Sequence, residues 1–299
     1  MPSATAPEPV AGAPSPLSSQ SQMDLLRLIR PRQWIKNAFV LAPLLFSGSF
    51  TKRAAIFEAL TAVAVFCLAS SATYVINDLS DVAADRQHPV KRHTRPLAAG
   101  TVTLGQARAL LALLGALLLA FFAWRPATAA VVLGYLALNV AYSLRLKRVP
   151  VVDLFCVAGG FVLRVFAGAV AISVVLSSWM LITTLCLALY LAAIKRRSEL
   201  GERGTVARTV LGSYTVALLD RYAEVSAVGS IIFYSLFVIE VRPGLAMTIP
   251  LVLFGLFRYW YIVEDTGGES PTDAVWRDWL LGLTVVAWTA MCAYSIWRP

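Results

Sequence analysis

Charge is scarce in this sequence. Only 14% of its 299 residues are charged, while 58% are apolar and the mean hydropathy is +0.70. Soluble domains carry about 25% charged residues, so an ordinary water-soluble fold is excluded. One helical membrane domain accounts for nearly all of the chain. Cysteine is also sparse: Cys67, Cys156, Cys186 and Cys292 lie inside apolar segments without paired spacing. That argues against a disulfide framework and against a zinc site. Histidine is nearly missing, and both copies, His88 and His93, fall in one polar stretch. They read as interfacial loop residues. The acids number 17 against 26 lysines and arginines, a net charge of +9. The cations sit at the ends of apolar segments, where topology and phosphate binding account for them without nucleic acid.

The expected fold class is all-α: a polytopic membrane protein with a bundle of about nine transmembrane helices and cytoplasmic polar loops. Residues 1–22, rich in Pro, Ala and Ser, read as a disordered tail. They lack the basic start and apolar run of a secretory signal. Residues 23–36 interleave Leu25, Leu26, Leu28 and Ile29 with Arg27, Arg30, Arg32 and Lys36, the pattern of an interfacial amphipathic helix. Residues 37–299 form the membrane domain. Its spans are expected at 37–51, 55–77, 105–124, 127–146, 151–172, 177–195, 217–240, 244–262 and 278–297. Each is near the ~20 residues that cross ~30 Å of hydrocarbon. The first is short and contains Pro43.

With the N-terminus in the cytoplasm, twenty of the 26 lysines and arginines fall on the cytoplasmic side, five fall outside, and Arg164 lies within a span. The positive-inside rule thus orients the long polar loops toward the cytosol, and a multi-pass protein of the inner membrane is expected.

The most informative stretch runs from Asn77 to Gly100, NDLSDVAADRQHPVKRHTRPLAAG. Asn77, Asp81 and Asp85 stand at i, i+4 and i+8, within roughly 40° of each other at each helical step. Asp78 lies one residue off that face, and Lys91, Arg92 and Arg95 follow at once. Carboxylates on one face beside cations suit a hard divalent metal, Mg²⁺ above all, which is held by one or two carboxylates plus substrate phosphates. A turn of capping aspartates is the plainer alternative, but it explains only one or two of these residues.

Three further groups carry candidate ligand-binding residues. The stretch YSLRLKRVPVVD holds Tyr142, Lys147 and Asp153; favourable helix dipoles account for the last two equally well. Arg164 sits in the middle of an apolar span, where a charge normally faces the bundle interior with a partner. It shares a helical face with Asp153, so both a structural ion pair and a ligand-facing arginine remain open. Lys195, Arg196 and Glu199 open a polar loop that continues to Glu202, Arg203 and Arg208, with Tyr214 at its end. Guanidinium forks and lysine charges are what a diphosphate requires, although a basic cytoplasmic loop serves topology alone just as well.

These residues carry a resemblance. The nine-span count and Asn77-Asp78-x-x-Asp81-x-x-x-Asp85 resemble the UbiA superfamily of intramembrane prenyltransferases. RPRQWIKN at 30–37, YSLRLKRVPVVD at 142–153, GGFVLRVFAGA at 159–169, KRRSEL at 195–200, SYT at 213–215 and GGESPTDAVWRDWLL at 267–281 resemble its decaprenyl-phosphate phosphoribosyltransferase branch. The resemblance covers the chain from about residue 24 to its end. It implies Mg²⁺ on Asn77, Asp81 and Asp85, and a reaction between 5-phosphoribosyl 1-diphosphate (PRPP) and a polyprenyl phosphate. Lys36, Lys91, Arg92, Lys147, Lys195 and Arg196 are then candidates to hold phosphates.

One departure bears on the donor. Prenyltransferases of this superfamily carry a second motif, often D-x-x-x-D, where this chain reads KRRSELGERG with no aspartate. A prenyl diphosphate:acceptor prenyltransferase remains the first alternative. A non-enzymatic carrier of anionic lipid is the second, though the sequence shows no inverted repeat or paired broken helices. A homo-oligomer is compatible with the sequence.

Overall fold

A computed structural model describes residues 19–201, 209–266 and 277–298, and all regular structure among them is helical. Helix α1 (Ser19–Ile29) precedes a 3₁₀ run (Pro31–Leu41) and the short α2 (Ala42–Phe46). The long α3 (Arg53–Gln87) is followed by two single turns, α4 (Lys91–Thr94) and α5 (Pro96–Ala99). Then come α6 (Leu104–Trp124), α7 (Pro126–Leu144), α8 (Val152–Ala171), α9 (Ser178–Gly201), α10 (Val216–Val241), α11 (Ile249–Thr266) and α12 (Trp279–Trp297). Eight helical segments among the described residues are long and apolar enough to cross a membrane. The chain is an all-α, multi-pass membrane protein.

The ninth expected crossing, 37–51, is not one helix. Arg30 adopts φ 53°, Pro31 opens the 3₁₀ run, Pro43 removes a donor, and Gly48 at φ 76° ends α2. The segment nonetheless runs antiparallel to α3. Arg30 reaches Asp78 at 2.5 Å, Trp34 Nε1 donates to Ser71 Oγ at 3.1 Å, and Asn37 Nδ2 donates to Ser70 Oγ at 3.4 Å. A 3₁₀ helix rises ~2.0 Å per residue against 1.5 Å for an α-helix, so winding this way stretches a short segment. The segment is pressed against α8. A Cβ added to Gly168 would lie 1.9 Å from the Val40 carbonyl oxygen, so only glycine permits this approach.

The expected helix over 23–36 starts earlier and stops sooner. α1 begins inside the expected tail and ends at Ile29, with Leu28 fully buried. The rest of the tail expectation, residues 1–18, lies outside the described residues.

α3 organises the bundle. Its buried face carries Ala59, Ala62, Ala69, Ser70, Ser71, Ala72 and Thr73, small side chains that let neighbouring backbones approach. Phe66 and Val75, fully buried, pack there with Leu114 of α6, Val132 and Tyr135 of α7 and Ala167 of α8. A second core joins α9 to α12 through Tyr190, Ala223, Tyr259 and Leu281. At 35 residues α3 is ~52 Å long, well beyond ~30 Å of hydrocarbon. Its last turns, from Asn77 to Asp85, lie at the polar C-terminal end of this long helix.

Candidate active site at one end of the bundle

Helix α3 continues unbroken through Gln87, so Asn77, Asp81 and Asp85 do share one helical face. The half-buried Asn77 side chain makes no hydrogen bond among the described residues. Asp81 is 40% exposed and lies 3.9 Å from Lys147, which arrives on the turn between α7 and α8. Asp85 is buried. Its Oδ2 accepts from Arg95 Nη1 at 2.7 Å, and Lys91 approaches Oδ1 at 3.6 Å.

Asp78 points elsewhere. It is buried and already saturated by two guanidiniums, Arg30 at 2.5 Å and Arg95 at 2.7 Å. Arg30 also stacks its cation 4.9 Å from the Tyr74 ring. Two acids and three cations from the α1 exit, α3 and the α4–α5 turns thus form one alternating array. A buried carboxylate costs several kcal/mol unless it is paired in this way.

Beside it lies a second network. Asp153, fully buried at the start of α8, accepts from Arg196 Nε at 2.9 Å and from the Tyr214 hydroxyl at 2.6 Å. Arg196 also donates to Glu199 at 2.8 Å and to the Tyr142 hydroxyl at 2.9 Å. Tyr214 in turn accepts the Val151 backbone N–H at 2.6 Å. Val151 sits at φ 66°, a strained conformation for a β-branched residue. Burial, and then the bond to Asp153, pushes the Tyr214 hydroxyl well above its ordinary range, so it stays a donor. Asp153, Arg196 and Tyr214 are each under 4% exposed, and every one is spent on the others. They tie the α7–α8 turn that carries Lys147 to α9 and to the entry of α10.

Arg164 does not pair with Asp153. It is buried deeper in the bundle and donates to three neutral acceptors: Asn37 Oδ1 at 2.8 Å, the Gly160 carbonyl at 2.9 Å and the Tyr135 hydroxyl at 3.0 Å. The Tyr135, Phe161 and Phe66 rings surround the guanidinium at 4.8, 5.4 and 5.9 Å. Cation–π attraction and oriented dipoles replace the missing carboxylate. Through Asn37 this arginine also pins the 3₁₀ run.

The remaining candidates are less convergent. Arg92 is exposed, and its Nε donates to His93 Nε2 at 2.8 Å. Lys36 and Lys195 are half-buried and engaged with neighbours. Glu202, Arg203 and Arg208 lie outside the described residues, as does most of 267–281. Spacing does not mark Arg30 or Tyr135 as site residues, whereas Arg95 stands in the basic run beside the acids and Asn37 in the RPRQWIKN stretch. Arg30 is 48 positions from Asp78 and Asn37 is 127 from Arg164, so no local pattern could pair them.

Among the described residues, no three His, Cys, Asp or Glu side chains converge as a ready metal cluster. The donors available are the Asn77 amide oxygen and the carboxylates of Asp81 and Asp85. An uncommitted amide, a half-exposed carboxylate and a second carboxylate one turn on fit a magnesium ion completed by phosphate oxygens. They do not fit an all-protein cage.

This arrangement of helices has counterparts. The UbiA prenyltransferase family model matches residues 39–281. The chain belongs to the UbiA family. It is 35% identical to the decaprenyl-phosphate phosphoribosyltransferase of Mycolicibacterium smegmatis over 97% of this chain and 96% of that one. It is 38% identical to the enzyme of the same name from Mycobacterium tuberculosis, over 91% and 94% of the two chains. Among solved structures, a UbiA homolog from Archaeoglobus fulgidus bound to DMAPP and Mg²⁺ superposes with a TM-score of 0.68. That match has 21% identity and covers 92% of this chain and 100% of that one, and it shows the shared fold. The chain is thus a UbiA-family membrane enzyme, similar over nearly its full length to the phosphoribosyltransferase branch.

Proposed function

We propose that this UbiA protein transfers 5-phosphoribose from PRPP to a polyprenyl phosphate and releases diphosphate. The observation that carries the reading is the Asn77–Asp81–Asp85 face, set among Arg30, Lys91, Arg95 and Lys147 at one end of the bundle. It offers oxygen donors and fixed cations side by side, as a diphosphate leaving group needs. The names of the mycobacterial relatives support the acceptor, a polyprenyl phosphate, and the transferred phosphoribosyl group.

The lipid phosphate lies at the membrane surface with its chain between helices, and PRPP enters from the cytosol, the side to which the positive-inside rule assigns this end. A phosphate oxygen of the lipid attacks C1 of the ribose. The C1–O bond breaks, and its electron pair leaves with the diphosphate. Fixed cations on that leaving group stabilise the charge as it grows. Mg²⁺, held by Asn77, Asp81 and Asp85, would add a Lewis-acid charge at the same oxygens. The nucleophile is already an anion near neutral pH, so no general base is required. The product is polyprenyl phosphoryl 5-phosphoribose.

The helix that would supply a second acidic metal site gives support of another kind. At the end of α9 the carboxylate of Glu199 is taken by Arg196, and Arg197 binds Asp220 and Glu264 at 2.5 Å each. That favours PRPP over a prenyl diphosphate.

Purified protein with polyprenyl phosphate should move label from PRPP into the lipid fraction and none from labelled prenyl diphosphate. Transfer from prenyl diphosphate alone would overturn the assignment. Full chelation with EDTA should abolish turnover and added Mg²⁺ restore it; activity that survives chelation removes the metal.

A further inference from the structure

Arg95 stands where the acid array and the proposed metal face meet. Its Nη1 alone bridges two carboxylates, Asp78 Oδ1 and Asp85 Oδ2, at 2.7 Å each. Its Nε and Nη2 donate to no described residue, and its side chain is 24% exposed. Asp78 is 2% exposed and is held from the other side by Arg30, so its grip on Arg95 is fixed by the fold. The bond to Asp85 is different. Asp85 is also a member of the face that would take a metal, and Lys91 stands by it at 3.6 Å as a second cation. Nor is Arg95 freely mobile. It caps α5, and its backbone N–H and carbonyl are bonded to Lys91 and Ala99, which anchors the guanidinium at its root.

We propose that Arg95 is a positioning residue that stands in for the metal on Asp85 when the site is empty. When metal and diphosphate arrive, it passes to the phosphate while Asp78 keeps hold of it. This rests on the reading of Asn77, Asp81 and Asp85 as metal donors. Three physical points favour it. A buried carboxylate without a counter-charge is costly, so Asp85 needs a cation in both states. A guanidinium has five donors in a rigid fork, so Arg95 can stay on Asp78 and still present others to an anion. The two states also have opposite consequences for affinity: Arg95 competes with a bare metal ion for Asp85, but cooperates with a metal that brings its own diphosphate. Free metal therefore binds weakly and the metal–diphosphate complex binds well. This keeps the empty site from filling with metal alone.

The test uses the full-length protein in detergent and reads binding as well as turnover. Binding of Mn²⁺, followed by its electron paramagnetic resonance signal without any diphosphate, should tighten about threefold to tenfold in Arg95→Gln, the net worth of one lost hydrogen bond where Lys91 stays beside Asp85. In the same variant the KM for PRPP should rise about tenfold or more. A residue with a merely structural role would weaken both together. Arg95→Lys should fall between wild type and Arg95→Gln in both measurements. If Arg95→Gln does not fold, Asp78→Asn takes its place: with one anchor gone, Arg95 should lean further on Asp85 and weaken Mn²⁺ binding. Mn²⁺ affinity that is unchanged or lower in Arg95→Gln, or unchanged in Asp78→Asn, overturns the inference and leaves the metal site standing. A wild-type protein that binds no Mn²⁺ overturns both. Wild-type Mn²⁺ binding without turnover of PRPP overturns only the donor assignment.

Discussion

Three neighbouring aspartates on α3 have three different surroundings, and so three different expected roles. Asp78 is locked between two guanidiniums and Asp85 is shared, while Asp81 has one distant partner among the described residues, Lys147 at 3.9 Å. An ion pair this exposed contributes about 0–1 kcal/mol. Asp81→Asn should therefore leave the melting temperature in detergent nearly unchanged, yet lower kcat/KM about a hundredfold or more, the scale of losing a group that acts on transition-state charge. A variant with wild-type turnover removes Asp81 from the site. The i, i+4, i+8 spacing was legible in the sequence because it is local. That Asp78 is committed elsewhere was not, since Arg30 reaches it only after the chain has turned back along α3.

Packing between elements depends on a few close approaches. The 3₁₀ run meets α8 at Gly168, where even a methyl group would strike the Val40 carbonyl. Gly168→Ala should cost about 1–3 kcal/mol or more, as overpacking does, and lower the melting temperature, whereas Gly115→Ala, facing open space, should not. Elsewhere in the bundle Asp278 caps α12 and binds Arg258 of α11. The Arg258 bond, reinforced by the cap, holds the Asp278 carboxyl below its usual range. A carboxylate lowered by folding contributes stability above its unfolded pKa, about 3.9. That contribution is lost as pH falls through the folded value. Asp278→Asn should thus melt earlier than wild type at pH 7, and the gap should close as the pH is taken below about 4. A constant gap contradicts the assignment. The sequence marks both helix ends here, yet nothing in it pairs Arg258 with Asp278.

At the scale of the whole molecule, charge asymmetry predicts that the site faces the cytosol. A cysteine placed at the exposed Gln87 should react with a membrane-impermeant maleimide in inverted vesicles and not in intact cells, with wild type giving the background. Labelling in intact cells would reverse the orientation. The sequence by itself determined the all-helical membrane fold and the acidic face of α3. Each follows from composition or short-range periodicity, which helices in lipid obey strictly because their hydrogen bonds must be internal. Only the tertiary structure decided that a 3₁₀ run replaces the first helix. It also decided that Arg164 rests among aromatic rings, and that Asp153, Arg196 and Tyr214 are spent on each other while Arg95 joins the two carboxylates. The reason is physical: a partner is chosen by distance in space, and the separation along the chain runs from 10 positions for Arg95 and Asp85 to 127 for Asn37 and Arg164.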